Sequence, residues 1–366
     1  EKKPAKEPPV LEWPSDCDCA EVARMATATY LCRDLISLPC EQMGPADLEQ
    51  AARDLAARHG AEVDSIVGDD LLKQNLPVVH AVGRAAGVGR EPRLVDMRWG
   101  SGSSKVTLVG KGVCFDTGGL DIKPASAMLT MKKDMGGAAH VLGLASLVMD
   151  SGLDVSLRVL LPIVENSISG SAFRPGDVLR ARNGKTTEIG NTDAEGRLIL
   201  SDALVLASEE DPDMIIDMAT LTGASRVALG ADVPSIFSND DGLARDLQDL
   251  SATVEDPLWQ LPLWKPYAKQ LKSACADMKN IGAPYGGAIT AALYLSEFVG
   301  PTNLKVASGD EEEEGDDDSS DKKKDEPKWL HMDVMAYNQA STPGRPEGGE
   351  AMGMRAFFEL LRQRYG

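Results

Sequence analysis

Near-continuous apolar runs alternate with helical periodicities along the central part of the chain. Residues 154–164 and 214–218 are almost entirely apolar, as expected for strands that are buried on both faces. Apolar residues at helical spacing predict helices near these runs, at residues 137–149 and 197–208. Strands that alternate with helices are typical of a layered α/β domain, so the pattern predicts this fold class.

Less regular patterns predict the remaining elements. A helical periodicity over residues 18–59 is interrupted at Pro39 and at Gly44-Pro45, so a second helix is expected from Pro45 to His59, ending at Gly60. The other predicted elements are a strand that runs into a loop at 105–115, helices at 264–274 and 289–299, and a last strand at 329–334.

Composition and charge narrow the class of protein. The 366 residues are 43% hydrophobic and 26% charged, which is typical of a globular protein with a sizeable core. No apolar run approaches the roughly 18 residues that a membrane-spanning helix needs, and no secretory signal is visible. The formal net charge of −19 disfavours nucleic acid and anionic membranes as partners.

Two segments are predicted to lie outside the folded core. Residues 1–17 are expected to form a solvated N-terminal arm. Residues 309–326 contain eleven acidic residues against three lysines, and such a charge run is typical of a disordered surface insertion.

Cysteine and histidine usage limits the possible chemistry. Six cysteines are too sparse for a disulfide framework in a chain of this length, which favours a reducing cytoplasm. The four histidines are not paired at ligand spacing. A metal centre here would therefore be built from carboxylates, which suit ions such as Mg²⁺, Mn²⁺ or Zn²⁺.

The segment Asn191-Thr192-Asp193-Ala194-Glu195-Gly196-Arg197-Leu198 places two acids and an arginine two residues apart. In an extended segment these side chains would leave by the same face, where a bound dication makes the crowding of carboxylates tolerable. The alternative is a helix N-terminus with Asp193 as the cap, Glu195 in the first turn and a buried face from Leu198 onward. The segment alone does not decide between a metal-binding face and a helix N-terminus.

A second cluster of polar residues and glycines lies upstream, at residues 110–124 and 131–139. The functional sites of α/β domains lie at strand ends, so polar residues and glycines at these positions indicate such a site. A nucleotide-binding loop is excluded, because the Walker pattern fails at residues 183–186 and Gly110-Lys111-Gly112 lacks its spacing.

The ordered motifs Gly-Lys-Gly, Phe-Asp-Thr-Gly-Gly, Ile-Lys-Pro, Met-Lys-Lys-Asp-Met-Gly-Gly and Asn-Thr-Asp-Ala-Glu-Gly-Arg resemble those of the leucyl aminopeptidase family of dinuclear metallopeptidases. The resemblance runs from about residue 18 to the C-terminus. It implies a central, mostly parallel or mixed sheet sandwiched by helices. It also implies a metal-dependent aminopeptidase that removes N-terminal hydrophobic, leucine-like residues from short peptides.

Carried over residue by residue, the resemblance implies two divalent metal ions. The exchangeable ion, Zn²⁺ or alternatively Mn²⁺, Mg²⁺ or Co²⁺, would be bound by Asp116, Asp193 and Glu195. The tighter ion would be bound by Lys111, Asp116, Asp134 and Glu195, so that Asp116 and Glu195 bridge. A hydroxide activated by both ions would attack the peptide carbonyl.

The resemblance also assigns catalytic and substrate-binding residues. Lys123 would stabilise the oxyanion, and Arg197 would hold a bicarbonate that acts as a general base. The implied pocket for the N-terminal side chain is formed by Met131, Thr220, Leu221, Gly223 and Met335. The methionines fit equally well as ordinary core residues.

The resemblance further implies one catalytic domain, residues 18–366, and a homohexamer. The N-terminal domain that usually precedes it in the family is expected to be absent from this chain. The alternatives are a non-catalytic binding role, as in relatives that bind DNA, or a degenerate pseudoenzyme. The acidic balance disfavours the first, and the presence of all seven metal and catalytic residues disfavours the second.

Overall fold

A computed structural model of the chain describes Val10 and residues 12–300 and 326–366. The α-helices within these residues are α1 (Cys19–Ser37), α2 (Pro45–His59), α3 (Asp70–Lys73), α4 (Pro77–Gly83), α5 (Ala125–Met128), α6 (Gly136–Asp150), α7 (Gly196–Ser208), α8 (Gly223–Leu229), α9 (Asp241–Thr253), α10 (Gly287–Ser296) and α11 (Met354–Tyr365). Two further segments, Met131–Met135 and Lys265–Leu271, are 3-10 helices.

The strands within the described residues form one large sheet and two small ones. They are β1 (Glu62–Val67), β2 (Arg93–Trp99), β3 (Ser104–Gly110), β4 (Gly112–Asp116), β5 (Val155–Asn166), β6 (Val178–Arg180), β7 (Thr186–Glu188), β8 (Met214–Ala219), β9 (Ser235–Ser238), β10 (Trp259–Gln260), β11 (Met278–Lys279), β12 (Lys328–Asp333), β13 (Tyr337–Asn338) and β14 (Gly348–Gly349).

The large sheet is mixed, with a parallel centre. Its strand order is β1-β2-β5-β3-β8-β12-β9-β10, and β4 pairs with the far end of β5. The central pairs β5-β3, β3-β8 and β8-β12 are parallel, whereas β1, β2 and β9 join antiparallel neighbours. The predicted α/β fold with a mostly parallel or mixed sheet is confirmed.

Helices cover both faces of this sheet. Alternate residues of each central strand point to opposite faces, so Met214 and Ile216 enter one core while Ile215 enters the other. The first core packs against α1, α2, α6 and α11, and the second against α4, α7 and α10. Burial on both faces explains why these strands read as continuous apolar runs.

Several predicted boundaries are confirmed, and two are wrong. The helix from Pro45 to His59 is observed as predicted, with Gly60 in the left-handed conformation at φ 67°. The strand running into a loop predicted at residues 105–115 is instead two strands, β3 and β4, which are separated at Lys111. The α-helix predicted at residues 264–274 is a shorter 3-10 helix, Lys265–Leu271.

The predicted solvated arm and the predicted disordered insertion lie mainly outside the described residues. The acidic segment lies outside them apart from Glu326, and so does most of the N-terminal arm. The division into an arm and one catalytic domain therefore stays a prediction. In the part of the chain that the structure describes, no helix combines the length and apolarity needed to cross a membrane.

Candidate metal centre

The predicted metal and catalytic residues converge where the central strands end. Lys111 lies between β3 and β4, Asp116 ends β4, and Thr220 directly follows β8. Asp193 and Glu195 lie in the loop that leads into α7. The carboxyl ends of parallel strands meet at one edge of a sheet, which is why residues this far apart in sequence come together.

Three carboxylates form the centre of the site. Asp116, Asp193 and Glu195 each offer an oxygen, and these three atoms lie within 4.8 Å of one another. Asp116 and Glu195 are buried, while Asp193 is half-buried. Buried like charges at this separation repel one another, so the cluster needs positive charge beside it.

Two lysines supply positive charge from opposite sides. The Nζ of Lys111 lies 2.8 Å from Asp134 Oδ2 and 2.9 Å from Glu195 Oε1, and donates to the Thr220 carbonyl at 3.1 Å. The Nζ of Lys123 lies 2.8 Å from Asp116 Oδ2 and also pairs with Asp193. Every predicted metal ligand is therefore in contact with at least one of its predicted neighbours.

Asp134 is fixed by the end of β8. It lies in the 3-10 helix Met131–Met135, and the Thr220 hydroxyl donates to its Oδ1 at 2.7 Å and to its carbonyl at 3.1 Å. Gly137 lets the adjacent helix α6 approach this point, because a Cβ there would lie 2.1 Å from the Met218 carbonyl oxygen. Asp134 lies just before α6 in the chain, so the close packing of α6 on β8 positions Asp134 in the site.

Asn166, which sequence reasoning missed, braces the cluster. Its Nδ2 donates to Asp116 Oδ1 at 2.8 Å and to the Thr192 carbonyl at 3.1 Å, and lies 3.5 Å from Glu195 Oε2. It is fully buried as the last residue of β5. The only available signal in the sequence was a polar residue that ends a long apolar run.

A tight turn after β4 also holds Asp116 in place. The Gly118 amide donates to Asp116 Oδ1 at 2.8 Å, and Gly118 has φ 88°. A side chain is disfavoured at this angle, and a Cβ would lie 2.5 Å from the Asp121 carbonyl oxygen. The glycine therefore permits the turn that brings Lys123 back toward the cluster.

Arg197 lies in the first turn of α7 and lines the cavity in front of the cluster. Its Nη1 donates to the Asn280 carbonyl at 2.7 Å, while its buried Nε has no hydrogen-bond partner among the described residues. Asn280 in turn receives the Gly190 amide on its Oδ1 at 2.8 Å, which ties the arginine to the loop. The side of the guanidinium that carries the free Nε is suited to donating hydrogen bonds to an anion.

The interpretation of Asp193 as a helix cap is wrong. Helix α7 begins at Gly196, its cap position is Glu195, and no side chain makes a capping hydrogen bond there. The Asp193 carboxylate pairs with Lys123 instead. The loop that carries both acids also contains a turn and is not the extended segment considered from the sequence.

Burial and mutual repulsion raise the pKa values of two of the acids, Asp116 and Glu195. Burial and the charge of Asp134 raise the pKa of Asp116 to about 6, and burial and the charge of Asp116 raise the pKa of Glu195 to about 8. Burial lowers the pKa of Lys111, but the charges of Asp134, Glu195 and Asp116 outweigh it and hold the pKa above its usual range. In the metal-free protein, protons on these acids thus offset part of the negative charge of the cluster.

A cavity of about 460 Å³ opens in front of the cluster. Four of the five predicted substrate-binding residues line it, namely Met131, Thr220, Leu221 and Gly223. Met335 is not among the lining residues and is buried in the core beside α1 and α6. Two cations that the sequence did not single out, Lys133 and Arg226, also line the cavity, and burial lowers the pKa of Lys133 to about 8.

Comparison with known proteins identifies related sequences over most of the chain. Residues 30–358 match the model of the cytosol aminopeptidase family, catalytic domain. A probable cytosol aminopeptidase of Geobacter sp. (strain M21) is 40% identical over 349 residues, covering 94% of this chain and 66% of the relative. Peptidase B of Pectobacterium carotovorum subsp. carotovorum (strain PC1) is 40% identical over 364 residues, covering 96% of this chain and 78% of the relative.

Solved structures agree with this assignment. The crystal structure of a cytosol aminopeptidase from Coxiella burnetii is 49% identical with a TM-score of 0.85, covering 95% of this chain and 70% of that one. The bottromycin maturation enzyme BotP in complex with Mn is 36% identical with a TM-score of 0.83, covering 94% of this chain and 71% of that one. The chain spans slightly less than two thirds of the length of the Geobacter relative.

Proposed function

The chain belongs to the cytosol aminopeptidase family, and we propose that it is a metal-dependent aminopeptidase that releases N-terminal residues from short peptides. The observation that carries the proposal is the cluster of Asp116, Asp193 and Glu195, in which each residue offers an oxygen and these atoms lie within 4.8 Å of one another. The convergence of all seven predicted metal and catalytic residues on this cluster favours an enzyme over a non-catalytic relative.

The donor set fits divalent cations. Oxygen-rich, negatively charged clusters suit hard or borderline ions, and one solved relative is described as a complex with Mn. We assign Asp116, Asp193 and Glu195 to an exchangeable ion, and Lys111, Asp116, Asp134 and Glu195 to a tighter one. Zn²⁺ is proposed as the tighter ion, and Zn²⁺, Mn²⁺, Mg²⁺ or Co²⁺ as the exchangeable one.

Divalent ions, when bound, acidify water and polarise a peptide carbonyl. The residues of the chain then have separate tasks. Lys111 must give up its proton to become a ligand, and its ion pairs with Asp134 and Glu195 already place its nitrogen at the cluster. Lys123 lines the cavity, where its ammonium would stabilise the negative charge that develops on the carbonyl oxygen.

Arg197 is proposed to hold a bicarbonate ion that serves as a general base. Its buried Nε is free of hydrogen-bond partners in the described part of the chain, and it lines the same cavity as Lys123. An arginine with an unused edge is suited to bidentate recognition of a planar oxyanion. Asn280 holds the other side of the guanidinium and fixes its orientation.

The substrate pocket is proposed to accept a leucine-like N-terminal residue. Met131, Thr220, Leu221 and Gly223 line the cavity beside Asp134, and Met131 supplies an apolar wall. Leu221 would offer its carbonyl to the substrate, as the family resemblance implies. Met335 lies in the buried core, outside the lining of this cavity, and would act through packing.

A hexamer and a cytoplasmic location are also proposed. All six cysteines are free, and the names of the relatives include the word cytosol. The hexamer rests on the family resemblance, and light scattering should give a mass near six times the 39.0 kDa of one chain. A mass of one chain would contradict it.

The activity is tested with L-leucyl-p-nitroanilide and metal-stripped protein. We expect turnover after Mn²⁺ is added, loss of turnover with a chelator, and no turnover in Glu195→Gln. Glu297→Gln is the matched control, because Glu297 is exposed and pairs only with the peripheral Lys185. Turnover that survives metal removal, or equal loss in both variants, would refute the proposal.

A further inference from the structure

Asp121 is an acid of the glycine-rich segment after β4 that the proposed reaction does not use. It lies in the turn of residues 117–124, between strand β4 and helix α5. The residue is exposed and does not line the cavity, and in the described part of the chain no ion pair involves it. Its carboxylate instead accepts a hydrogen bond from the loop of residues 189–195, here called the ligand loop because it carries Asp193 and Glu195.

Asp121 and Thr192 bind each other through reciprocal hydrogen bonds. The Thr192 amide donates to Asp121 Oδ2 at 2.7 Å, and the Asp121 amide donates to Thr192 Oγ1 at 2.8 Å. The Thr192 hydroxyl donates to the Gly118 carbonyl at 2.6 Å. The side chain of each residue thus receives the backbone N–H of the other, and we call this pair the Asp121–Thr192 latch.

The latch joins the two segments that carry functional groups. Thr192 directly precedes Asp193, and Asp121 lies two residues before Lys123. The Nζ of Lys123 pairs with Asp193 across the same boundary. A lysine side chain has four rotatable bonds, so the place of its ammonium depends on where its backbone is held. The latch holds that backbone against the ligand loop.

Asn166 anchors both segments at their other ends. Its Nδ2 donates to the Thr192 carbonyl at 3.1 Å, and its own carbonyl accepts the Thr117 amide at 3.1 Å and the Thr117 hydroxyl at 2.7 Å. The Lys123 amide donates to the Thr117 carbonyl at 2.9 Å, which closes the turn. The base of the turn is therefore fixed to β5, and the latch fixes its tip.

We infer that Asp121 is a positioning residue, whose hydrogen bonds to Thr192 hold Lys123 at the place where its ammonium stabilises the oxyanion. The inference rests on the proposed aminopeptidase activity and adds a residue to its machinery. A charge that stabilises a transition state must lie where the negative charge develops, and a displacement of about 1 Å can lower turnover ~100-fold.

A second latch with the same bonds offers a matched control. The Thr186 amide donates to Asp277 Oδ2 at 2.7 Å, and the Asp277 amide donates to Thr186 Oγ1 at 3.0 Å. Asp277 is exposed, as Asp121 is, and neither Asp277 nor Thr186 lines the cavity. Loss of either latch should lower the free energy of unfolding by a similar amount, whereas only loss of the Asp121–Thr192 latch should affect turnover.

The kinetic test uses L-leucyl-p-nitroanilide and the Mn²⁺-loaded protein. In Asp121→Ala we expect kcat to fall at least ~10-fold, with KM changed less than ~3-fold, because the interaction lost is one made in the transition state. Asp121→Asn keeps an oxygen that accepts the Thr192 amide, so it should restore most of the loss. Asp277→Ala should keep the wild-type kcat. Thr192→Val removes the hydroxyl on the other side of the latch and should lower kcat as Asp121→Ala does.

A binding test shows whether Asp121 acts through Lys123. The phosphonic acid analogue of leucine carries a tetrahedral oxyanion, and calorimetry measures its Kd without turnover. We expect Asp121→Ala to weaken its binding at least ~10-fold, and no further weakening when Asp121→Ala is added to Lys123→Met. Mn²⁺ titration of Asp121→Ala should still give two bound ions per chain, because all the proposed ligands remain.

Four results would overturn the inference. The first is a wild-type kcat in both Asp121→Ala and Thr192→Val, and the second is an equal loss of kcat in Asp277→Ala. The third is a loss in Asp121→Asn as large as that in Asp121→Ala, which would make the charge and not the hydrogen bonds responsible. The fourth is a lost Mn²⁺ ion in Asp121→Ala, or additive effects with Lys123→Met. Wild-type protein without turnover in Mn²⁺ would instead refute the aminopeptidase proposal, and the inference with it.

Discussion

Glu195 contacts both a lysine and an asparagine of the candidate metal centre. Its Oε1 lies 2.9 Å from Lys111 Nζ, its Oε2 lies 3.5 Å from Asn166 Nδ2, and it belongs to the cluster with Asp116 and Asp193. Asp193 lies at the more open side of the same cluster and is half-buried. The two acids therefore should not be equivalent in metal binding.

This difference gives a prediction for two isosteric variants. By the proposed assignment, Asp193→Asn would remove a ligand of the exchangeable ion only, whereas Glu195→Gln would remove a ligand shared by both ions. Calorimetric titration with Mn²⁺ should give two bound ions for the wild type, one for Asp193→Asn and none for Glu195→Gln. Equal stoichiometry in both variants would contradict the assignment of Glu195 as the bridge.

The affinity for Mn²⁺ should rise with pH. In the metal-free protein the pKa of Asp116 is raised to about 6 and that of Glu195 to about 8, and the pKa of Lys111 is also raised. All three groups must lose their protons to become ligands, so binding releases protons. Titrations between pH 6 and 8, in buffers of different ionisation enthalpy, should show tighter binding and fewer released protons at the higher pH. An affinity that falls with pH would contradict this account.

The sequence predicted the acids of the candidate metal centre but not the residues that hydrogen-bond around them. Asp116, Asp193 and Glu195 lie in dense motifs with a recognisable order, and the structure brings them together. Asn166 and Asn280 are single polar residues without a motif, and their roles depend on contacts across 26 to 90 positions in the chain. Such contacts follow from the fold and not from local pattern.

At the scale of elements, the site depends on how closely α6 packs on the central strands. Gly137 faces the Met218 carbonyl, and Gly110 on β3 faces Ala138, where a Cβ would lie 2.6 Å from its Cα. These glycines bring the start of α6 and the preceding 3-10 helix against β3 and β8. The position of Asp134 is a consequence of this packing.

Substitution of Gly137 should therefore damage both stability and the site. In Gly137→Ala the new methyl group would collide with backbone that cannot move freely, and we expect a loss of about 3 kcal/mol in the free energy of unfolding. Denaturant unfolding measures this change. Gly170→Ala is the control, since a Cβ there meets nothing within 4 Å. Equal stability of the two variants would show that the close approach is not required.

Elements with strong patterns were predictable, and those with weak patterns were not. Buried strands β5 and β8 and helix α2 follow directly from apolar runs and from Pro45 and Gly60. Strand β1 was missed because it lies at the sheet edge, where no residue of its span is fully buried and the alternation is weak. The break between β3 and β4 was missed because Lys111 is buried although it is charged.

At the scale of the whole molecule, the mixed sheet separates two hydrophobic cores and exposes its functional edge at one end. The strand order places β3 and β8 side by side, so Lys111 and Thr220 meet although they are 109 positions apart. The sequence predicted the α/β class but not this order, because pairing between distant strands leaves no local signal. The site therefore depends on pairing between strands that are distant in the sequence.

The central claim is that this edge of the sheet binds two divalent ions and cleaves peptides from a free N-terminus. The most direct measurement adds Mn²⁺ stepwise to metal-stripped protein, counts the bound ions, and follows a free and an N-acetylated copy of one peptide by mass spectrometry. We predict two bound ions per chain, with stepwise removal of N-terminal residues from the free peptide only. Cleavage without bound ions, or equal cleavage of the acetylated peptide, would contradict the account.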